Sequence, residues 1–144
     1  MVTYEELNEQ NDDITELSNV LSYLIKDRSM CDSDTCCSLF YNYMDKVNEH
    51  MTLVEKNLYG QLLRHPQQEM NNTAKNFMSG SQEIKHIMQQ YKKKWCDKKQ
   101  GDLKVGGEHE IFKTDTDEMF TMILDRVQNE VEHLYPLIRK VSNG

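Results

Sequence analysis

The stretch from Tyr41 to Leu63 constrains the fold of this chain most strongly, because apolar residues recur along it at steps of three and four. At about 100° per residue, such steps place them on one face of a helix. That face must be buried, so the pattern predicts one long amphipathic helix. His50 lies at the edge of the stripe, and Glu55 lies about 140° further round the axis, at the opposite border. The stripe consists of Phe40, Met44, Val47, Met51, Val54, Leu58 and Leu62.

The composition favours a single helical domain. The 144 residues can bury one full core, and with two prolines and six glycines the chain contains few helix breakers. A net charge of −7 argues against nucleic acid as a partner and favours a basic protein surface. No apolar run approaches the ~20 residues that cross a membrane, and the N-terminus has no signal-peptide pattern. We therefore expect a cytoplasmic protein without a membrane partner, whose cysteines are mostly reduced.

Three further amphipathic stretches complete an all-α prediction. Helix one ends near Lys26, helix two ends before Pro66, and helix three spans Met70–Trp95. A long loop, residues 97–114, then leads to helix four. Helices joined in this way predict an up-down-up-down four-helix bundle that forms a single domain over residues 1–144. The apolar face of helix four consists of Met119, Phe120, Ile123, Val127, Val131, Leu134 and Ile138.

Two segments carry a resemblance to a known family. His50, Glu55 and the pair Leu58-Tyr59 spell H-x4-E-x2-LY, and residues 130–138 spell EVEHLYPLI. The second and fourth helices of the hemerythrin-like (HHE) four-helix bundles have similar motifs, and both end in LYP. The resemblance implies the same bundle, in which side chains from the four helices hold a pair of irons.

The chain departs from the hemerythrin-like pattern at most of the positions that hold iron in the family. Of the family's ligand types, only His50 on helix two and Glu130 on helix four remain. Iron requires several imidazole and carboxylate ligands around a small volume, so this pair makes a poor site. We therefore expect no cofactor, with diiron binding at His50 and Glu130 as the alternative. The other ligand positions align with Asn11, Val54, Phe77, Ser81 and Arg126.

A polar core network is the hypothesis that replaces the metal. Arg126 and Glu130 are spaced i,i+4 on helix four and can form an ion pair. Asn11 and His50 border the same interior. A guanidinium held there would supply positive charge in place of iron, and such a network would set helix register more than stability. The alternative is that these side chains line the edges of the core and meet water.

The cysteines gather at one end of the predicted bundle. Cys31, Cys36 and Cys37 lie at the turn into helix two, while Cys96 ends helix three, near the loop that contains His109. Thiolates and an imidazole suit zinc, and thiols can also switch to disulfides. However, the spacing is not that of a CxxC pair, and free cysteines are often simply buried. Inert core cysteines are therefore the default expectation, with a thiol site as the alternative.

A second resemblance concerns the bacterial regulator of sigma D, a helical bundle with a similar H-x4-E-x2-L in its second helix. Its fourth helix carries R-x3-E, as Arg126 and Glu130 do here. This resemblance implies that the partner is the basic promoter-recognition region of a sigma factor. The residues of helix three that match are Ala74, Lys75, Phe77, Ile87, Met88 and Tyr91.

The sequence contains no motif that indicates an enzyme. It has no glycine-rich phosphate loop, no nucleophile elbow and no H-E-x-x-H. We therefore expect a non-enzymatic hemerythrin-like binding or sensory module with a depleted diiron site. One alternative is an anti-sigma-type protein-binding regulator of transcription. The other is a thiol-based metal or redox sensor.

Overall fold

The computed structural model describes residues 3–97 and 99–143, and most of them are helical. Helix α1 spans Tyr4–Leu24, and the hydroxyl of Thr3 caps it by accepting a hydrogen bond from the amide of Glu6 at 3.1 Å. A short 3-10 turn, Arg28–Asp32, leads to helix α2, which spans Asp34–Asn57. The predicted all-α class is confirmed. None of the described helices combines the length and the apolar character that a membrane crossing requires.

The predicted long helix around His50 is interrupted at Leu58. This residue has φ −110° and ψ −43°, and a short helix, α3, spans Tyr59–Leu63. Every residue of the predicted apolar stripe is nevertheless buried. A continuous helix would place residue 59 about 140° from Val54, at the border of the core. With the break, Tyr59 is only 2% exposed, so the interruption brings its ring into the interior.

Helix α4 spans Gln68–Trp95 and runs without interruption through Gly80. Strand β1, Cys96–Asp97, follows directly and pairs antiparallel with strand β2, Asp102–Leu103. The hydroxyl of Tyr41 donates to the carbonyl of Asp97 at 3.1 Å, which ties this small hairpin to α2.

Helix α5, His109–Asn129, begins earlier than expected, so the predicted loop of residues 97–114 is too long. The reason is Phe112, which is fully buried. Its ring centroid lies 5.8 Å from that of Phe40 and 5.3 Å from that of Trp95. These contacts draw the first turn of α5 into the core, and this tertiary packing is not visible in the local sequence.

The fourth predicted helix is divided by a π-helical turn. After α5 comes the π turn, Glu130–Leu134, and then helix α6, Tyr135–Asn143. The amide of Tyr135 donates to the carbonyl of Glu130, an i→i+5 hydrogen bond that accommodates one extra residue in the turn. Val131, predicted to be buried, is therefore 44% exposed, while Leu134 and Ile138 remain in the core.

The buried apolar residues form two clusters, with a polar layer between them. One cluster surrounds Phe40 and Phe112, and the other contains Leu7 and Leu134. On α1, for example, Asn11 lies between Leu7 of the second cluster and Ile14 of the first. The layer contains the buried polar residues Asn11, His50, Ser81, Arg126 and Glu130.

The elements that surround this layer pack as neighbours. Helix α1 packs on α2, α3 on α4, and α4 on α5. Tyr91 of α4 contacts Thr116 of α5, and Ser81 contacts Arg126. From the first of these contacts to the second, the residue number falls on α4 and rises on α5, so the two helices run in opposite directions.

Candidate functional site: a buried polar layer

Glu130 is the centre of the polar layer, and its side chain is 0% exposed. One carboxylate oxygen, Oε1, lies 2.6 Å from Nε2 of His50 and also accepts from the hydroxyl of Tyr135 at 3.1 Å. The other oxygen, Oε2, accepts from Nε of Arg126 at 2.9 Å. A buried carboxylate needs such partners, because burial without them would cost several kcal/mol.

The guanidinium of Arg126 connects α5 to α3 and α4. Its Nη1 donates to the carbonyl oxygen of Phe77 at 2.8 Å. Its Nη2 donates to the hydroxyl of Ser81 at 2.8 Å and to that of Tyr59. Its carbon Cζ lies 4.8 Å from the centre of the Phe77 ring, a cation–π contact. Every nitrogen of the guanidinium therefore has a protein acceptor.

The hydroxyl groups around Arg126 can all be satisfied by one consistent arrangement. Ser81 donates to the carbonyl of Phe77 at 3.0 Å, so its oxygen is free to accept from Arg126 and from the Tyr59 hydroxyl 2.9 Å away. Burial raises the pKa of Tyr59, and so it keeps this phenol protonated at neutral pH. The cluster is thus a complete hydrogen-bond network rather than a loose contact.

Asn11 and Gln10 complete the layer from α1. Nδ2 of Asn11 donates to the hydroxyl of Tyr135 at 3.0 Å, and Oε1 of Gln10 lies 2.8 Å from Nδ1 of His50. Asn11 therefore reaches Glu130 through Tyr135 and not directly. Within the described part of the chain, Oδ1 of Asn11 is a buried oxygen without a hydrogen-bond partner.

The structure places Asn11, His50, Arg126 and Glu130 in the interior, and the alternative that they line the core edges in contact with water is not what it shows. Arg126 bonds to Glu130, but within the described part of the chain neither His50 nor Asn11 bonds to the guanidinium, contrary to the prediction that both complete its hydrogen bonds. Sequence reasoning missed four other members of the layer. The sequence did indicate two of them, Tyr59 and Tyr135, because each follows a leucine in a repeated Leu-Tyr dipeptide. The missed residues are Gln10, Tyr59, Ser81 as a hydrogen-bonding group, and Tyr135.

The π turn explains how Glu130 and Tyr135 reach each other. In an α-helix, residues five apart lie about 140° apart around the axis. The extra residue in the π turn reduces this angle, so the two side chains converge. Such turns are frequent at functional sites. Local sequence patterns do not reveal them, because the requirement for the turn comes from the contact between the two side chains.

The residues of this layer do not fit the pair of irons that the hemerythrin-like resemblance implies. Arg126 offers only hydrogen-bond donors, and its positive charge lies against Glu130, which is one of the two remaining ligand types. The oxygens of Glu130 are already engaged by three protein donors. Among the described residues, no group of three histidine, cysteine or acidic side chains could hold a metal ion.

The four cysteines lie at one end of the molecule, in the apolar cluster of Phe40. All four are free and buried. The thiol of Cys31 points to the carbonyl of Ile25 at 3.8 Å, and that of Cys37 points to the carbonyl of Cys31 at 3.7 Å. His109, expected nearby in the loop, instead uses Nε2 to contact the carbonyl of Ile25 at 2.7 Å. The thiols of Cys31 and Cys37 and the imidazole of His109 therefore face backbone oxygens.

We expect the four thiols to be unreactive in the folded protein. Burial raises the pKa of every one of them, and that of Cys36 reaches about 12. Thiolates are the reactive species, so labelling with a chromogenic disulfide reagent at about pH 7 should be slow in buffer and complete in urea. Fast labelling of one cysteine in buffer, with helicity unchanged, would contradict this expectation and favour a thiol sensor.

The helix contact at Gly80 gives a second prediction. A Cβ atom at this position would lie 3.1 Å from Nη1 of Arg126, a group held by four hydrogen bonds. Gly80→Ala gains about 1 kcal/mol of helix propensity but crowds the guanidinium. We expect a net loss of about 1 kcal/mol in the free energy of unfolding, measured by urea denaturation.

Gly60 provides a matched control for Gly80. A Cβ atom there would lie 3.2 Å from Nη1 of Arg64, whose exposed side chain can swing away. Gly60→Ala should therefore leave stability unchanged or raise it by about 0.5 kcal/mol. If both alanine variants stabilise the protein alike, the guanidinium is not held as tightly as its hydrogen bonds indicate.

No protein-family model, curated protein or solved structure matches this chain. The resemblances drawn from its motifs therefore stay predictions.

Proposed function

We propose that this chain is a non-enzymatic, hemerythrin-like binding module in which a buried ion pair occupies the place of the metal. The long helices, the antiparallel contact between α4 and α5, and the two inward-facing tyrosines of the LY motifs support an up-down-up-down bundle of this kind. The bundle then serves as a scaffold whose outer surface does the binding.

The observation that carries this proposal is the position of Arg126. Its guanidinium lies where the resemblance would place a ligand of the metal centre, and it bonds to Glu130, a remaining ligand type. A fixed cation at this point removes the electrostatic reason to recruit a metal ion. Both oxygens of Glu130 and both ring nitrogens of His50, the two remaining ligand types, already contact other side chains of the layer.

The test of this proposal is iron loading. Protein purified without a histidine tag is mixed with ferrous iron under nitrogen, desalted, and analysed by elemental mass spectrometry and by its absorption spectrum. His50→Gln, which lacks one of the two remaining ligand types, is the control. We expect both proteins to retain only background iron. About two irons per chain in the wild type, with an oxo-bridge band that the variant lacks, would overturn the proposal.

A second candidate function is a protein-binding regulator of the anti-sigma type, and the surface charge favours it. The chain carries a net charge of −7. The side chains of Glu5, Glu9 and Asp12 on α1 are exposed, as are those of Asp117 and Asp125 on α5. An acidic surface of this kind attracts basic protein segments and repels nucleic acid.

Direct binding tests the second candidate. The purified basic promoter-recognition region of a sigma factor is titrated into the protein in a calorimeter, at low and at high salt. We expect saturable binding that weakens as salt rises, because exposed charges are screened. No heat of binding at low salt would remove this candidate and leave the first one unaffected.

A further inference from the structure

A groove runs along the outer surface between α4 and α5. It contains two adjoining recesses of about 640 and 410 Å³, each lined by residues of both helices. A third recess of about 500 Å³ lies beside them on the outer face of α5, and Met122 lines all three. Phe77, Ile87 and Met122 are only partly buried there, so apolar surface is open to water along the groove. The floor of this α4–α5 groove is formed by Phe77, Ile84, Ile87, Tyr91, Met119 and Met122.

Acidic side chains border the α4–α5 groove. Glu83 of α4 and Glu118 and Asp125 of α5 are exposed at the edge of the two recesses. Asp117 is exposed beside them, in the recess on the outer face of α5. Within the described part of the chain, none of these four carboxylates forms an ion pair. The rim is therefore a set of negative charges without an internal partner, beside an apolar floor.

The far end of the groove has a different charge. Lys93 and Lys94 line the recess near Trp95, and Lys94 pairs with Asp115 at 3.0 Å. Of the unpaired carboxylates, Glu118 shares this recess with the two lysines, whereas Glu83 and Asp125 line the recess of Phe77, together with His133. This distribution gives the groove a direction, so a bound segment would place its basic residues against the acidic part.

We propose that the α4–α5 groove binds a basic amphipathic helix of a partner protein. Its floor extends from Phe77 to Trp95, which on a helix is a length of about 27 Å, or about 18 residues of a second helix. The apolar face of such a helix would cover the floor, and its lysine or arginine residues would reach the carboxylates of the rim. This inference rests on the proposed protein-binding role and assigns it a surface.

The charge of the rim decides which occupant the groove fits. A nucleic acid or a lipid headgroup presents phosphates, which the four carboxylates would repel. A neutral apolar segment would use the floor and leave the rim without a partner. A basic amphipathic helix satisfies both parts, and charge complementarity of this kind contributes specificity and association rate.

Fluorescence anisotropy with a labelled peptide of about 18 residues, built from leucine and lysine at helical spacing, tests the inference. The same peptide with glutamate in place of lysine is the negative control. The groove variant neutralises three rim charges, Asp117→Asn, Glu118→Gln and Asp125→Asn. A matched variant neutralises three exposed charges on α1, Glu5→Gln, Glu9→Gln and Asp12→Asn, so both change the net charge equally.

We expect the wild type to bind the lysine peptide and not the glutamate peptide. The groove variant should bind about tenfold more weakly, because it removes three exposed charge pairs with the lysines of the peptide. The α1 variant should differ from the wild type by less than about twofold, which is the small effect of charges distant from the site. Met122→Gln should also weaken binding, since it removes apolar surface from the floor.

Four results would overturn the inference. Equal weakening in the two charge variants would show attraction to net charge alone, with no groove site. Self-association in sedimentation velocity that the groove variant abolishes would make a second copy of this chain the occupant. If the sigma-factor region binds the wild type and the groove variant equally, the proposed protein-binding role stands and the groove is not the binding site. If neither the sigma-factor region nor the peptide binds the wild type, both the protein-binding role and the assignment of the groove are wrong.

Discussion

Glu130→Gln should lower the free energy of unfolding by about 3–4 kcal/mol, the largest loss that we expect from a change of this size. The substitution removes a charge that three donors share, from His50, Arg126 and Tyr135. Removing one partner of a buried ion pair leaves the other charge desolvated and unpaired, which is what makes such changes costly. Chemical denaturation followed by circular dichroism measures the effect.

Glu132→Gln is the control for Glu130→Gln, because it makes the same chemical change two residues away on the same π turn. Its side chain is half exposed, and its hydrogen-bond and ion-pair partners among the described residues are Gln128 and His133. We expect a change within about 0.5 kcal/mol, as for most surface substitutions. Similar losses for the two variants would mean that the π turn, and not the buried charge, determines stability.

The effect of Glu130→Gln should depend on pH. Burial alone would raise the pKa of Glu130, but the hydrogen bond and charge of His50, followed by those of Arg126, hold it below its usual value. The carboxylate's contribution is then fully present above the pKa of the unfolded chain, near 4.5, and is lost as pH falls through the folded-state pKa. The stability gap between wild type and variant should narrow below about pH 4.5. A gap that widens in acid would contradict the lowered pKa.

Arg126→Met should also cost about 3–4 kcal/mol. The volume of the side chain is largely kept, but Glu130 loses its counter-ion and the hydroxyls of Tyr59 and Ser81 lose a donor. The control is Arg28→Met, because Arg28 also pairs i,i+4 with a carboxylate, that of Asp32 at 2.9 Å, but at the surface. Exposed pairs contribute little, so we expect a loss of about 1 kcal/mol there.

A double-mutant cycle separates the ion pair from the rest of the layer. Arg126→Met combined with Glu130→Gln should be less destabilising than the sum of the single changes, by about 1–3 kcal/mol, because each single change leaves one buried charge unpaired and the double change leaves neither. Additive losses in urea denaturation would mean that Arg126 and Glu130 act independently. Since they lie 2.9 Å apart in a buried position, we expect strong coupling.

We expect the layer to give the bundle a specific helix register. It lies between two apolar clusters, which by themselves would tolerate sliding of one helix along another. The guanidinium of Arg126 on α5 finds all its acceptors only when α3 and α4 are at one position along the axis of the bundle. These acceptors belong to Tyr59, Phe77 and Ser81. A register shift would leave a buried charge without partners, so the layer contributes specificity as well as stability.

Several features could be predicted from local sequence patterns. The apolar stripe around His50 is buried as its spacing predicts, because the core side of a helix is determined by the 3.6-residue period. The cap at Thr3 and the i,i+4 pair of Arg126 and Glu130 also form between residues close in sequence. The exposure of His86 follows from the same helical period.

The sequence by itself thus determined the helical class, the buried stripe and the residues of one ion pair, since each depends on neighbours a few positions apart. Only the tertiary structure decided the break at Leu58, the π turn at Glu130 and the early start of α5. Each of these brings a side chain, Tyr59, Tyr135 or Phe112, to partners on other helices. The energy of those distant contacts outweighs the local preference for a regular helix. The contacts join residues far apart in the chain, so the spacing of apolar residues does not predict them.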